Sequence, residues 1–328
     1  MINASFLLPV PPEAIIRDPD WNIFGGTAVP FENHWYRFFA RWHKDTTHWG
    51  WATHSEIGCV VGDNPIGPWS EVHTVLGCTE ANRWGSHAFH NPAIIFSEGK
   101  FWLFYTANYG NGEFWDHRNH QRIGVASADH PLGPWKRCTE PIVDVTPGSW
   151  DHFITACPTV ARGPDGLYRM IYKGVSNGPL PFGGTVRMGL ATAEHPAGPW
   201  TKQNGNFFCV EGVQFTSDDN YLWFQDGLFR AIVKDYGGHY QSKAKEALVL
   251  FTSPNALDWK LASPDPVLTT FHLTFGNERR GPFHRLEQPH LIFDPENRPI
   301  ALCLSIKEQD DKVDEDLCYT VQVPLSSA

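Results

Sequence analysis

Charge is scarce in this chain. Asp, Glu, Lys and Arg make up 19% of its 328 residues, and the formal net charge is -10. Nothing in it reads as a basic patch, so a phosphate-binding surface for nucleic acid is not expected. Long apolar runs are missing too. No stretch reaches the ~20 residues that a membrane helix needs, so no membrane partner is expected. The N-terminal MINASFLLPVPPEAII lacks a basic segment, and prolines break its apolar stretch, so no signal peptide is read there. The expectation is a cytoplasmic protein, or a periplasmic or secreted one if a leader has been removed. Paired cysteines are also lacking. The seven thiols, Cys59, Cys78, Cys138, Cys157, Cys209, Cys303 and Cys318, are odd in number and include no CxxC. That argues against a disulfide scaffold or a zinc site.

Long helical periodicity is nearly absent, and what takes its place is repetition. NPIGPW (64–69), HPLGPW (130–135) and HPAGPW (195–200) end three similar segments, and SPNALDW (253–259) ends a weaker fourth. Their tryptophans, Trp69, Trp135, Trp200 and Trp259, are spaced by 66, 65 and 59 residues. A short strand-like run precedes each ending: EIGCVVGD, RIGVASAD, RMGLATAE and ALVLFTSP. Earlier in each unit stands a strand pair, as in PAIIF followed by GKFWLFYTAN. Each unit thus holds about four strands, and five units fill the chain.

Four-stranded sheets repeated at a fixed period predict an all-β fold, a five-bladed β-propeller around a central channel. It forms a single domain, with approximate blades 20–75, 84–140, 150–205, 211–265 and 285–328. A β-sandwich is the rival, but sandwiches do not repeat a whole sheet with the same turn. One blade cannot bury both its faces, so blades must stack. Aromatic residues, 14% of the chain with 14 Trp, suit that packing. Trp69, Trp135 and Trp200 are expected between blades.

In such a ring the first strand of each blade lines the channel. The residues just before it align as Phe24-Gly25-Gly26, His90-Asn91-Pro92, Ala156-Cys157-Pro158, Asp218-Asp219-Asn220 and Glu287-Gln288-Pro289. Carboxylates, imidazoles and amides therefore converge at one mouth. Gathered polar groups cost free energy unless they bond one another or a ligand. Capping of strand ends is the plain alternative for any single residue. As a set, they suit a polar funnel for a carbohydrate.

Five blades, GPW turns and acids at the hub resemble the five-bladed glycoside hydrolases of family 43 and the related family 117. WATHSEIGCVVGDNPIGPW, the HNP element and RIGVASADHPLGPWK carry the likeness. The resemblance implies an inverting hydrolase with three hub acids, and the long loops before blades 3 and 5, which would block the mouth, favour exo action that removes a terminal sugar from an oligosaccharide. A blade 1 Asp would be the general base, a blade 3 Asp would orient, and a blade 4 Glu would be the general acid. The match departs at each. Gly25-Gly26 stand where the base belongs, which leaves Asp20, then Asp18. Cys157-Pro158 replace an Asp-Pro, which leaves Asp151. Asp218 fills the acid's slot, while Glu211 in VEGV lies seven residues early. Family 117 implies that a blade 5 residue can be the acid, which raises Glu287 and, less so, His284 or His290.

Substrate contacts are expected from Arg41, Trp42, Glu56, His90, Asn91, Lys173 and Arg285. For Lys234 an ion pair is the favoured role. The loop 177–184, NGPLPFGG, is read as a rim, and the 271–284 insert is expected near the mouth. No cofactor is required by this reading. A calcium or magnesium ion in the channel is the one cofactor considered, with hard oxygen ligands. Two other functions stay open: a carbohydrate-binding propeller without catalysis, and a metal-assisted, phosphorolytic or lyase enzyme on the same scaffold.

Overall fold

The computed structural model describes residues 4–81, 83–240, 245–270, 273–313 and 315–326. Five four-stranded antiparallel sheets follow one another along the chain. Their innermost strands are Trp21–Phe31, His87–Ser97, Ile154–Arg162, Ser217–Gln225 and Arg285–Phe293. Each of these touches the innermost strand on either side, and the first touches the last, so the ring is closed. The fold is a five-bladed β-propeller. No helix among the described residues is long and apolar enough to cross a membrane.

Sequence chemistry explains each blade. The second strands, such as Lys100–Asn108, are apolar almost throughout because both sheet faces are covered by neighbouring blades. Glu98-Gly99 and Asp226-Gly227 turn the first strand into the second with positive φ at both residues. Such turns match the twist of the paired strands. The repeated tryptophans then join blades. Trp135 of blade 2 meets Phe38 of blade 1 edge-on at 6.0 Å, and Trp200 of blade 3 meets Phe104 of blade 2 at 5.9 Å. Trp69 of blade 1 packs beside Ile16, and Trp259 of blade 4 lies 5.9 Å from Phe207. Every such Trp therefore leans on the preceding blade.

Blade 5 departs from the sequence reading. Its second and third strands are Pro299–Lys307 and Tyr319–Pro324, but its fourth is Ile15–Ile16 from the start of the chain. Ile15 pairs with Val321 and Ile16 with Thr320. The expected blade 5, 285–328, is thus completed from outside itself. Part of the 271–284 insert packs into the core. Leu273–Phe275 and Glu278–Arg280 form a hairpin whose Leu273 and Phe275 join the core of blades 4 and 5 beside Val10. Phe271 and His272 of that stretch lie outside the described residues.

Candidate active site

The hub is built by one backbone device used five times. Each innermost strand loses register at the same point: between Phe24 and Thr27, His90 and Ala93, Ala156 and Thr159, Asp218 and Tyr221, and Glu287 and His290. The residue just inside the break has a left-handed backbone: Gly25 (φ 77°), Asn91 (50°), Cys157 (52°), Asp219 (47°) and Gln288 (54°). A bulge re-aims side chains. Left-handed conformations are costly for residues other than Gly, Asn and Asp, and such strain clusters at functional sites. Here all five bulge residues line one cavity of about 720 Å³ at the end of the channel.

The cavity has two unlike sides. Blades 1 and 2 supply Phe24, Trp42, His48, Trp49, Trp51, His90, Phe114 and Trp115. Trp42 is buried and donates its indole N–H to the Thr47 carbonyl at 3.0 Å. Trp51 stands edge-on to His90 at 5.3 Å. His90 Nδ1 lies 2.8 Å from the Ala88 carbonyl, which places the proton there and leaves Nε2 to accept from Gln121 at 3.3 Å. Burial pulls both His90 and His48 down to about 4, so both rings are neutral at pH 7.

Blades 3 to 5 supply the paired charges, and Arg118 of blade 2 adds one further cation. Lys173 Nζ meets Asp218 Oδ2 at 2.7 Å. Lys234 is clamped between Glu287 and Glu246, the latter at 2.5 Å. Arg285 donates to Glu287 at 3.0 Å and to Asp311 at 2.7 Å, and Tyr236 donates its hydroxyl to Glu287 at 3.1 Å. Burial by itself pushes Glu287 up, but Lys234 and Arg285 overcome that and hold it at about 2. Asp219 goes the other way. Burial first, then the charges of Asp218 and Glu287, raise it well above the usual carboxylate range. Its oxygens accept from the Gln288 side chain and, at 3.3 Å, from the Gln288 backbone. Two carboxyls pushed in opposite directions therefore face the same cavity. Such a split is the mark of acid–base sites.

The sequence-predicted residues divide sharply. His90, Asn91, Trp42, Lys173, Asp218, Arg285 and Glu287 all line the cavity, and so does Phe182 of the 177–184 rim. Five others do not. Asp20 is exposed and paired with Lys44 at 2.5 Å, while Asp18 accepts from its backbone. Both precede the strand whose bulge, four residues on from Asp20 at Phe24-Gly25, reaches the hub. Asp151 is buried beside Trp150 on blade 3, where Lys202 at 2.5 Å and the Tyr172 hydroxyl at 3.1 Å hold it. That pair ties the outer strand Thr201–Lys202 to the loop before the blade. Glu211 is exposed and does not line the cavity. Arg41 and Glu56 bond each other at 2.7 Å on the other face of the strand from Ala40 and Trp42. Among the alternates, His290 packs on Tyr221 behind the lining and His284 faces Asp311 at 3.4 Å. Glu287 lines the cavity, yet the cations on it oppose the acid role that the family resemblance implied.

Sequence reasoning missed Asp219, Gln288, Tyr236, Gln121, Arg118 and the Trp49–Trp51 pair. Asp219 and Gln288 had a signal: each is the second residue of a slot aligned above. The HWGW run was another.

A divalent ion in the channel finds a poor seat. Cys157, Asp218 and Asp219 bring one ligand-type atom each within 4.8 Å of one another. Burial pushes the Cys157 thiol up, so it stays protonated. Asp218 already holds an ammonium. Calcium and magnesium take oxygen ligands, and these residues do not fit either ion.

No family model matches the sequence, and no curated protein does. Solved structures do match. A family 117 glycoside hydrolase from the marine bacterium Zobellia galactanivorans aligns with a TM-score of 0.67 at 16% identity, over 94% of this chain and 85% of that one. A thermostable family 43 glycoside hydrolase aligns at 0.64 and 15%, over 98% and 93%. The family 43 β-xylosidase/α-arabinofuranosidase CoXyl43 from a compost metagenome, solved with xylotriose in a calcium-free form, aligns at 0.57 and 14%, over 100% and 98%. At these identities the likeness is one of architecture. The chain shares the propeller fold of these glycoside hydrolases.

Proposed function

We propose that this protein is a glycoside hydrolase acting on the terminal sugar of an oligosaccharide, with inversion. The observation that carries the reading is a pair of carboxyls, Asp219 and Glu287, pushed in opposite directions within one aromatic-walled cavity. Asp219 gives its proton to the glycosidic oxygen as the bond to the ring carbon breaks. A water attacks that carbon from the other side, and Glu287 takes the water's proton. Inversion needs two carboxyls roughly 6.5–9.5 Å apart. Asp218 and Asp219 bring oxygens within 4.8 Å, so Glu287 suits the base role better than Asp218. Trp42, Trp49 and Trp51 offer faces and edges for the sugar ring. The bulky aromatic wall supports removal of end residues over cleavage within a chain.

The test is a panel of aryl glycosides and natural oligosaccharides with Asp219→Asn beside the parent protein. Turnover by the parent, lost in the variant while sugar binding persists, supports the reading. Product stereochemistry by NMR decides inversion. A second reading rests on the lysines: Asp218 and Glu287 are each committed to a cation, which also suits a binding propeller without catalysis. Sugar binding with no turnover across the panel would favour it.

A further inference from the structure

Three cations line the cavity. Lys173 has Asp218, and Arg285 has Glu287 and Asp311. Arg118 has no carboxylate within ion-pair distance among the described residues, although it is only 7% exposed. Asp218 acts on it only from beyond that distance. Its Nη1 donates to the Phe182 carbonyl at 2.7 Å and to Asn119 at 2.9 Å. Nε and Nη2, the two donors on the other edge, have no partner among the described residues. The guanidinium lies 4.9 Å from the centre of the Phe182 ring and 5.7 Å from that of Trp115. Arg118 is therefore held in place by one edge and offers the second.

A buried charge without a counter-ion is costly. Burial pulls Arg118 down to about 10, which still leaves it cationic at neutral pH. Lys173 and Arg285 are already paired within the chain, so Arg118 is the lining cation left to meet an anionic ligand.

We propose that Arg118 is an anion subsite and that the sugar accepted here carries a negative group, a uronic acid carboxylate. Two parallel donors on a rigid planar edge match the two oxygens of a carboxylate. This deepens the hydrolase reading and rests on it for the word substrate, but the subsite itself is a matter of binding. A sulfate ester on the sugar has related chemistry, and the experiment separates the two sources.

The experiment is titration of the full chain with D-glucuronate and D-galacturonate, with glucose and galactose, and with galactose 6-sulfate. The same comparison is run as turnover of the matching nitrophenyl glycosides. The parent should prefer a uronate over its neutral counterpart by about tenfold or more. Arg118→Met should lower uronate affinity about 10- to 100-fold, the range for a charge-assisted bond, and bring the acid-to-neutral ratio toward one. Arg118→Lys keeps the charge without the fork and should fall between. A preference for the sulfated sugar in place of the uronates would keep the subsite and assign it to sulfate. No preference in the parent for any anionic sugar overturns the proposal, and so does a ratio that survives Arg118→Met. The parent comparison decides the matter even if a variant fails to fold. A uronate preference in the parent that Arg118→Met abolishes, with no turnover of any glycoside, would sink the hydrolase reading alone. Turnover without acid preference would sink this proposal alone.

Discussion

The two sides of the hub share a backbone and little else. Blades 1 and 2 carry Phe24-Gly25 and His90-Asn91 at their bulges and present tryptophans. Blades 4 and 5 carry Asp218-Asp219 and Glu287-Gln288 and present acids clamped by Lys173, Lys234 and Arg285. A bulge fixes where a side chain goes, and leaves free what the side chain is. One scaffold can thus hold a wall for recognition opposite a wall for chemistry.

Breaking the charged side should cost most. Asp219→Asn removes the proton donor while keeping the acceptor to Gln288. Its kcat should fall about 10²- to 10⁴-fold, the usual share of a general acid, with sugar affinity kept. An unchanged kcat in steady-state assays would remove Asp219 from the mechanism. Lys234→Met strips Glu287 and Glu246 of their shared cation. Leaving such charges buried and uncompensated costs about 3–5 kcal/mol, read as a lower denaturation midpoint in urea. A midpoint within error of the parent would mean that Arg285 alone suffices.

pH sharpens the same contrast. The folded state holds Glu287 at about 2, below the 4.5 of the free side chain. Its contribution to stability is therefore fully present above pH 4.5 and is lost as pH falls from there toward 2. Asp219 is raised, so turnover should fall as pH climbs through its shifted value and the proton leaves. His90 and His48, at about 4, leave the aromatic side without a charge change between pH 6 and 8. A break in sugar affinity within that window would contradict this. The smallest effect is expected on the aromatic side itself. Trp51→Ala should cost about 0.5–1.5 kcal/mol of sugar binding, roughly 2- to 13-fold in KM with kcat nearly unchanged.

Much of the ring was legible because packing repeats. The GPW spacing and the aligned slots at His90, Asp218 and Glu287 follow from blades that must all solve the same stacking problem. Asp20 and Asp151 were misplaced for a different reason. Sequence shows an acid near a slot but not which way its loop runs, and Asp151 ended against Lys202 instead of the cavity. Arg41 failed by one residue: neighbours on a strand face opposite ways, so Trp42 reaches the hub and Arg41 does not. Asp219 was hidden because a left-handed residue within a strand breaks the alternation on which such readings depend. Arg118 belongs to a short helix, Phe114–Asn119, inserted in blade 2 with no counterpart in the repeat.

The pairing of Ile15–Ile16 with Tyr319–Pro324 has a consequence for how the molecule comes to be. Residues 15 and 16 leave the ribosome some 300 positions ahead of the strand that receives them, and wait with an exposed edge until it emerges. Completion of the fifth blade therefore waits for residues 319–324. A chain cut short near its end would leave both unmatched borders open to pairing with other molecules.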